Sequence, residues 1–70
     1  MISRGDVQVG GRYRYPHPSG FGHCETFVRE VTRPTEAYPQ GRVRHEAIYA
    51  GWGAVDTMEV FMQNAERLTD

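Results

Sequence analysis

His17, His23, His45 and Cys24 are the imidazole and thiol groups of this chain, and two chemistries would use them. Zinc takes four such ligands in a tetrahedron, drawn from pairs usually spaced by two or more residues. His23 and Cys24 are adjacent, so in an extended segment they point to opposite faces and cannot grip one ion. No metal site is expected. The second chemistry is a Cys24 thiolate activated by a histidine, with Glu25 or Glu46 orienting the imidazole. It needs a thiol of lowered pKa, and no nucleophile elbow or helix start surrounds Cys24. Cys24 therefore reads as a small half-buried residue, and His45 as a core-edge residue hydrogen-bonded to a neighbour. With no cleft and no pKa-matched acid and base in view, neither catalysis nor a cofactor is expected.

The remaining chemistry is recognition. All eight basic side chains are Arg and none is Lys. Arg offers a planar fork for carboxylate or phosphate, although an all-Arg set also follows from a GC-rich genome, which points to a bacterium or phage. The net charge of −1 hides an asymmetry: Met1 to His45 holds seven Arg and four acids, and Glu46 onward one Arg and five acids. Ser19-Gly20-Phe21-Gly22 has the glycine-aromatic-glycine form that can offer a ring to a base, and Arg12, Tyr13, Arg14 and Tyr15 lie close by in sequence. A near-neutral chain lacks the strong positive field that dominates nucleic-acid affinity, so nucleic acid ranks second to protein as a partner. Tyr38 before Pro39 is an aromatic anchor of the kind protein interfaces favour, and Trp52 between two glycines is either such an anchor or a core residue.

These groups must be placed by short elements. Gly10-Gly11 releases the chain into Arg12-Tyr13-Arg14-Tyr15, whose alternation turns the tyrosines to one face and the arginines to the other. Two prolines and two glycines make 16–22 a loop. A second strand over about Cys24 to Thr32 is rich in β-branched and aromatic residues, but Phe27 and Val31 fall on one face and Val28 on the other, which a bulge near Val28 would reconcile. After a loop from Arg33 to Gly41, a third strand from Arg42 to Ala50 turns Val43, His45, Ala47 and Tyr49 to the core and Arg42, Arg44, Glu46 and Ile48 outward. A fourth short strand is expected around Trp52. Met58, Phe61, Met62, Ala65 and Leu68 then keep a helical spacing, and Asp56 with Glu59 has the form of a capping box, which predicts a helix over about 57–68.

Short strands with Gly/Pro turns followed by one amphipathic segment predict a mainly β or α+β fold: a small SH3-like antiparallel barrel, or a meander of three to four strands, with one short C-terminal helix. The order Gly11-Arg12-Tyr13-Arg14-Tyr15, Phe27-Val28-Arg29-Glu30-Val31, Val43 to Ile48-Tyr49, Trp52 and Met58-x-x-Phe61 resembles a family of small bacterial SH3-like domains of unassigned function. Those begin G-x-Y-R-H and end with a tryptophan strand and an M-x-x-F turn; Tyr15 stands here in place of the histidine. The resemblance implies architecture over most of the chain and no activity.

Seventy residues are expected to form one domain, over 1–70, near the lower size limit for a core without disulfides or metal. One cysteine forms no internal disulfide, and no apolar run reaches a membrane span of roughly 18 residues, so a cytoplasmic setting and no membrane partner are expected. The expected function is a non-catalytic binding module, a protein-interaction or inhibitor protein of an accessory kind. Its binding residues are taken as Tyr38, Trp52, Phe21, Arg12, Arg14, Arg42 and Arg44. The alternative is a small nucleic-acid binder using the Arg/Tyr face. A chain this short is also able to bury Val60 or Met62 in a second copy, forming a homodimer.

Overall fold

The structure is a computed structural model and describes residues 1–49 and 51–68. A single 3-10 turn (Arg4–Asp6) precedes strands β1 (Arg12–Pro16), β2 (His23–Val31), β3 (Arg42–Ala47) and β4 (Gly53–Thr57), helix α1 (Met58–Asn64) and a two-residue strand β5 (Glu66–Arg67). The strands form one antiparallel sheet in the order β4-β3-β2-β1-β5. Four strands run as a meander and β5 returns to the free edge of β1. The expected meander with a C-terminal helix is present, with a fifth strand that the sequence did not announce. The sheet is not closed into a barrel, because β4 and β5 are its two ends and α1 bridges them instead of a ladder.

Alternation in β1 and β3 does what the pattern predicts. Tyr13, Tyr15, Val43, His45 and Ala47 are buried, and Arg12, Arg14, Arg42 and Arg44 are exposed. β2 carries the expected irregularity: its register with β3 shifts between Val28 and Glu30. The shift lets Thr26 and Val28 share the core face with Val31, which packs against the core from the far side of the bulge. β3 ends at Ala47, earlier than expected, and Tyr49 is 87% exposed in the following turn, not on the core face. Ala50, the last residue of the expected strand, lies outside the described residues.

The helix is shorter than the predicted 57–68. Its N-cap is Thr57, whose hydroxyl accepts from the Val60 N–H at 3.3 Å; Asp56, expected to cap, sits inside β4. At its other end Ala65 is extended, and Glu66 and Arg67 pair with Arg14 and Tyr13 on β1. An open strand edge offers those backbone groups better partners than one further helical turn whose outer face would be wet. Leu68 is consequently off the helical face and partly exposed. Met58 and Phe61 do bury as the spacing requires, packing with Tyr13, Tyr15, Val28, Val43, Val7 and Ala65. The first residues are tied to the same helix by the Ile2 N–H, which donates to the Met62 carbonyl at 3.1 Å.

Gly41 ends the long β2–β3 loop with φ +83, and a Cβ there would lie 2.2 Å from the Thr32 carbonyl oxygen. Only glycine allows that approach, which brings Arg42 N–H to the Thr32 hydroxyl at 2.7 Å and aligns β3 with β2. The Gly41 carbonyl also accepts from the Met58 N–H at 3.0 Å, so one residue registers a strand and the start of the helix.

Candidate interaction surface

The outward face of the sheet carries the arginines. Cross-strand register sets Arg14 beside Glu25 and Glu66, Arg12 beside Phe27, Phe27 beside Glu46, and Arg44 beside Glu30 and Val55. Three ion pairs result: Arg12 with Glu25 at 3.5 Å, Arg14 with Glu66 at 3.7 Å and Arg29 with Glu46 at 3.7 Å. Each is solvent-exposed enough to contribute only about 0–1 kcal/mol, but each also cancels a cation locally. Arg14 further lies 3.3 Å from His23.

Arg42 and Arg44 are different. Neither has a carboxylate at ion-pairing distance among the described residues, and the Arg42 guanidinium lies over the Tyr38 ring at 4.4 Å. The loop makes that stack possible: Thr35 N–H donates to the Tyr38 carbonyl at 2.9 Å, Tyr38 N–H to the Thr35 hydroxyl at 3.0 Å and Gly41 N–H to the Tyr38 carbonyl at 2.8 Å. Tyr38 and Arg42 therefore form a stacked pair at the β2–β3 end of the sheet, and Arg44 lies two residues along on the same exposed face of β3.

Phe21 and Trp52 do not join it. Both lie at the opposite end, Phe21 86% exposed at the tip of the β1–β2 loop and Trp52 just before β4. Trp52 is half-buried, packed on the core with its ring edge-on to His45 at 5.9 Å and to His17 at 6.4 Å. Its Nε1 is buried without a hydrogen-bond partner among the described residues. Tyr13 and Tyr15, which the nucleic-acid reading requires on the surface, are both buried; the Tyr13 hydroxyl donates to the Asp6 carbonyl and accepts from the Gln8 N–H.

A buried polar group of three residues was not visible beforehand. His45 is fully buried, and its Nε2 lies 2.7 Å from Asp56 Oδ2, which also accepts the Tyr15 hydroxyl at 2.8 Å. A carboxylate only accepts, so Nε2 carries the proton, and Nδ1 is buried without a partner among the described residues. The signal was parity: Tyr15, His45 and Asp56 all occupy core-facing strand positions, but Asp56 was assigned to a helix cap. An imidazole sealed in this way cannot reach a substrate. Cys24 offers no nucleophile beside it, since burial pushes its thiol pKa up, and Sγ donates to the Tyr15 carbonyl at 3.6 Å. His17 contacts Ser19 instead, and among the described residues no three His, Cys, Asp or Glu side chains are grouped as metal ligands.

Burial, aided by the hydrogen bond to Asp56, raises the Tyr15 hydroxyl well above its ordinary value of 10.0. Below that value both folded and unfolded chains hold the proton; above it only the unfolded chain releases it, so stability falls as pH rises. The slope from this group is at most about 1.4 kcal/mol per pH unit. Urea midpoints taken from neutral to strongly alkaline pH should fall for the parent chain and fall less steeply for Tyr15→Phe. Equal slopes would remove Tyr15 as the source. Asp6 moves the other way: the Ser3 N–H at 3.0 Å and hydroxyl at 2.9 Å hold its carboxyl below the usual range, and Arg67 adds to this.

A cleft of about 460 Å³ lies between the N-terminal segment, β1 and β5, walled by Asp6, Gln8, Arg12, Glu25 and Arg67. Its charges are already matched, Asp6 with Arg67 at 3.5 Å and Arg12 with Glu25. Comparison with known proteins returns no match to a family model, a curated protein or a solved structure.

Proposed function

We propose that this protein is a non-catalytic binding module that engages another protein through the outer face of its sheet. The observation that carries this reading is the Tyr38–Arg42 stack at 4.4 Å with Arg44 beside it. A ring held by loop hydrogen bonds, with one forked cation stacked on it and a second two residues along the same strand face, loses little freedom on binding and matches an acidic, partly apolar surface. Arg12 and Arg14, already partnered by Glu25 and Glu66, serve as a rim, exchanging intramolecular pairs for contacts to the partner. The strand order, with a last strand returning to β1 after a seven-residue helix, supports the likeness to small SH3-like domains, here with an open sheet. A role as an inhibitor or accessory protein of bacterial or phage origin belongs to the same reading, and rests on size and composition.

Protein is favoured over nucleic acid by the alternation of Glu with Arg across the sheet, which leaves few adjacent unpaired cations to displace counterions. Affinity capture with immobilised parent chain, beside a Tyr38→Ala/Arg42→Ala variant of unchanged circular dichroism, tests both readings. Loss of the captured protein in the variant is expected, with capture surviving an increase from about 50 to 200 mM salt. Equal capture by the variant would refute the assignment of the cluster. Binding of mixed oligonucleotides that weakens by orders of magnitude over that range would transfer the reading to nucleic acid.

A further inference from the structure

The two edges of the sheet are not alike. β5 is two residues long and both, Glu66 and Arg67, are charged and exposed, which is how natural sheets discourage further pairing. β4 has five residues, Gly53-Ala54-Val55-Asp56-Thr57, with neither proline nor a cationic side chain nor a register shift. Its one charge, Asp56, is turned to the core face and taken by Tyr15 and His45, so it does not guard the edge.

The hydrogen-bond phase of β4 follows from its ends. Ala47 N–H donates to the Trp52 carbonyl at 2.8 Å and Met58 N–H to the Gly41 carbonyl at 3.0 Å, which brackets the β3–β4 ladder. Alternation then aims the backbone groups of Ala54 and Asp56 at β3 and those of Gly53, Val55 and Thr57 away from the sheet. Among the described residues no strand pairs with that outer edge, and Val55 is 54% exposed.

We infer that this edge pairs with the same edge of a second copy, antiparallel about a two-fold axis through Val55. In that register Val55 faces Val55 and Gly53 faces Thr57, so all outward positions meet their counterparts and the two sheets become one. A two-fold contact must be self-complementary, and this register is. The charges do not oppose it. On the outer face, Arg42 of one copy shares a row with Glu46 of the second copy and the two Arg44 side chains share the central row. In every row three strand spacings of about 4.8 Å separate the charged residues' backbones, more than the Debye length of about 8 Å at physiological salt, so the unguarded backbone edge carries the pairing.

Sedimentation equilibrium from micromolar to millimolar chain tests this. The parent mass should rise from one chain to two. Val55→Pro should stay at one chain with an unchanged fold, because the lost N–H is one that points away from β3. Val55→Lys should do the same by placing two ammonium groups across the axis, whereas Val60→Lys, on the exposed face of α1, should still form the dimer. A parent chain of constant single mass, or Val55 variants that dimerise as it does, would overturn the inference. Should both Val55 variants unfold, hydrogen exchange of the parent decides. A Val55 amide whose protection grows with concentration supports edge pairing, and one whose exchange is independent of concentration overturns it. An unrelated extended peptide that protects Val55 while the chain alone stays monomeric would overturn it too. Because β4 is a separate element from the Tyr38–Arg42 cluster, failure here leaves the partner surface standing, and the reverse.

Discussion

Asp56→Ala is expected to leave the chain largely unfolded at room temperature. One carboxylate oxygen accepts from two side chains on two other strands, the His45 ring at 2.7 Å and the Tyr15 hydroxyl at 2.8 Å. Removing it strands both, and a buried polar group without its partner costs about 1–3 kcal/mol, more where charge is involved. The two losses together reach about 2–6 kcal/mol, against the 3–5 kcal/mol that a single core of this size typically supplies. Asp56→Asn should lose less, since its carbonyl can still accept one of the two. Trp52, edge-on to His45, reports the loss directly, so urea unfolding followed by tryptophan fluorescence measures it. An Asp56→Ala chain with the parent midpoint would mean that the three residues do not interact in solution. A double-mutant cycle with Tyr15→Phe then separates the hydroxyl contribution, because residues sharing one acceptor are non-additive.

The second large effect is expected at Phe61. Its ring is fully buried, edge-on to Tyr13 at 5.3 Å, stacked with Tyr15 at 5.5 Å and 5.0 Å from the His45 ring. Phe61→Ala removes the side chain that joins α1 to the sheet, at a cost of about 3–5 kcal/mol. For a domain of this size each kcal/mol moves the thermal midpoint by about 4–8 °C, so the transition should drop by well over ten degrees or disappear. Val60→Ala, one residue away on the exposed side, should stay within about 0.5 kcal/mol of the parent. Calorimetry of the pair is decisive: equal midpoints would show that the helix does not dock by the face described.

The same residues show how far local pattern reaches. Phe61 and Met58 were legible because a helical spacing of apolar groups has few other uses, and Tyr13, Tyr15, Val43 and His45 because strand alternation has period two. The bulge in β2 was legible for the same reason: Phe27, Val28 and Val31 cannot all obey one alternation without an extra residue. Asp56 was misassigned because its spacing to Glu59 imitates a cap, and nothing nearby in sequence announces that Tyr15 and His45 compete for its carboxylate. Of the recognition residues, the outward direction of the four arginines was readable from parity, but not which of them would be neutralised. That depends on Glu25, Glu46 and Glu66, brought alongside by register.

The sequence by itself determined which residues of β1, and of β3 as far as Ala47, face inward and that a short helix follows the strands, since side-chain direction within a strand or helix is a local property. Tertiary structure alone decided that the helix stops at Asn64, that the sheet remains open, and that Asp56 serves His45 and Tyr15. It also decided that Tyr38 meets Arg42 while Phe21 and Trp52 stand at the other end. Each of these outcomes is a competition between partners distant in sequence for the same backbone edge, carboxylate or guanidinium, and only their assembled distances settle which partner wins.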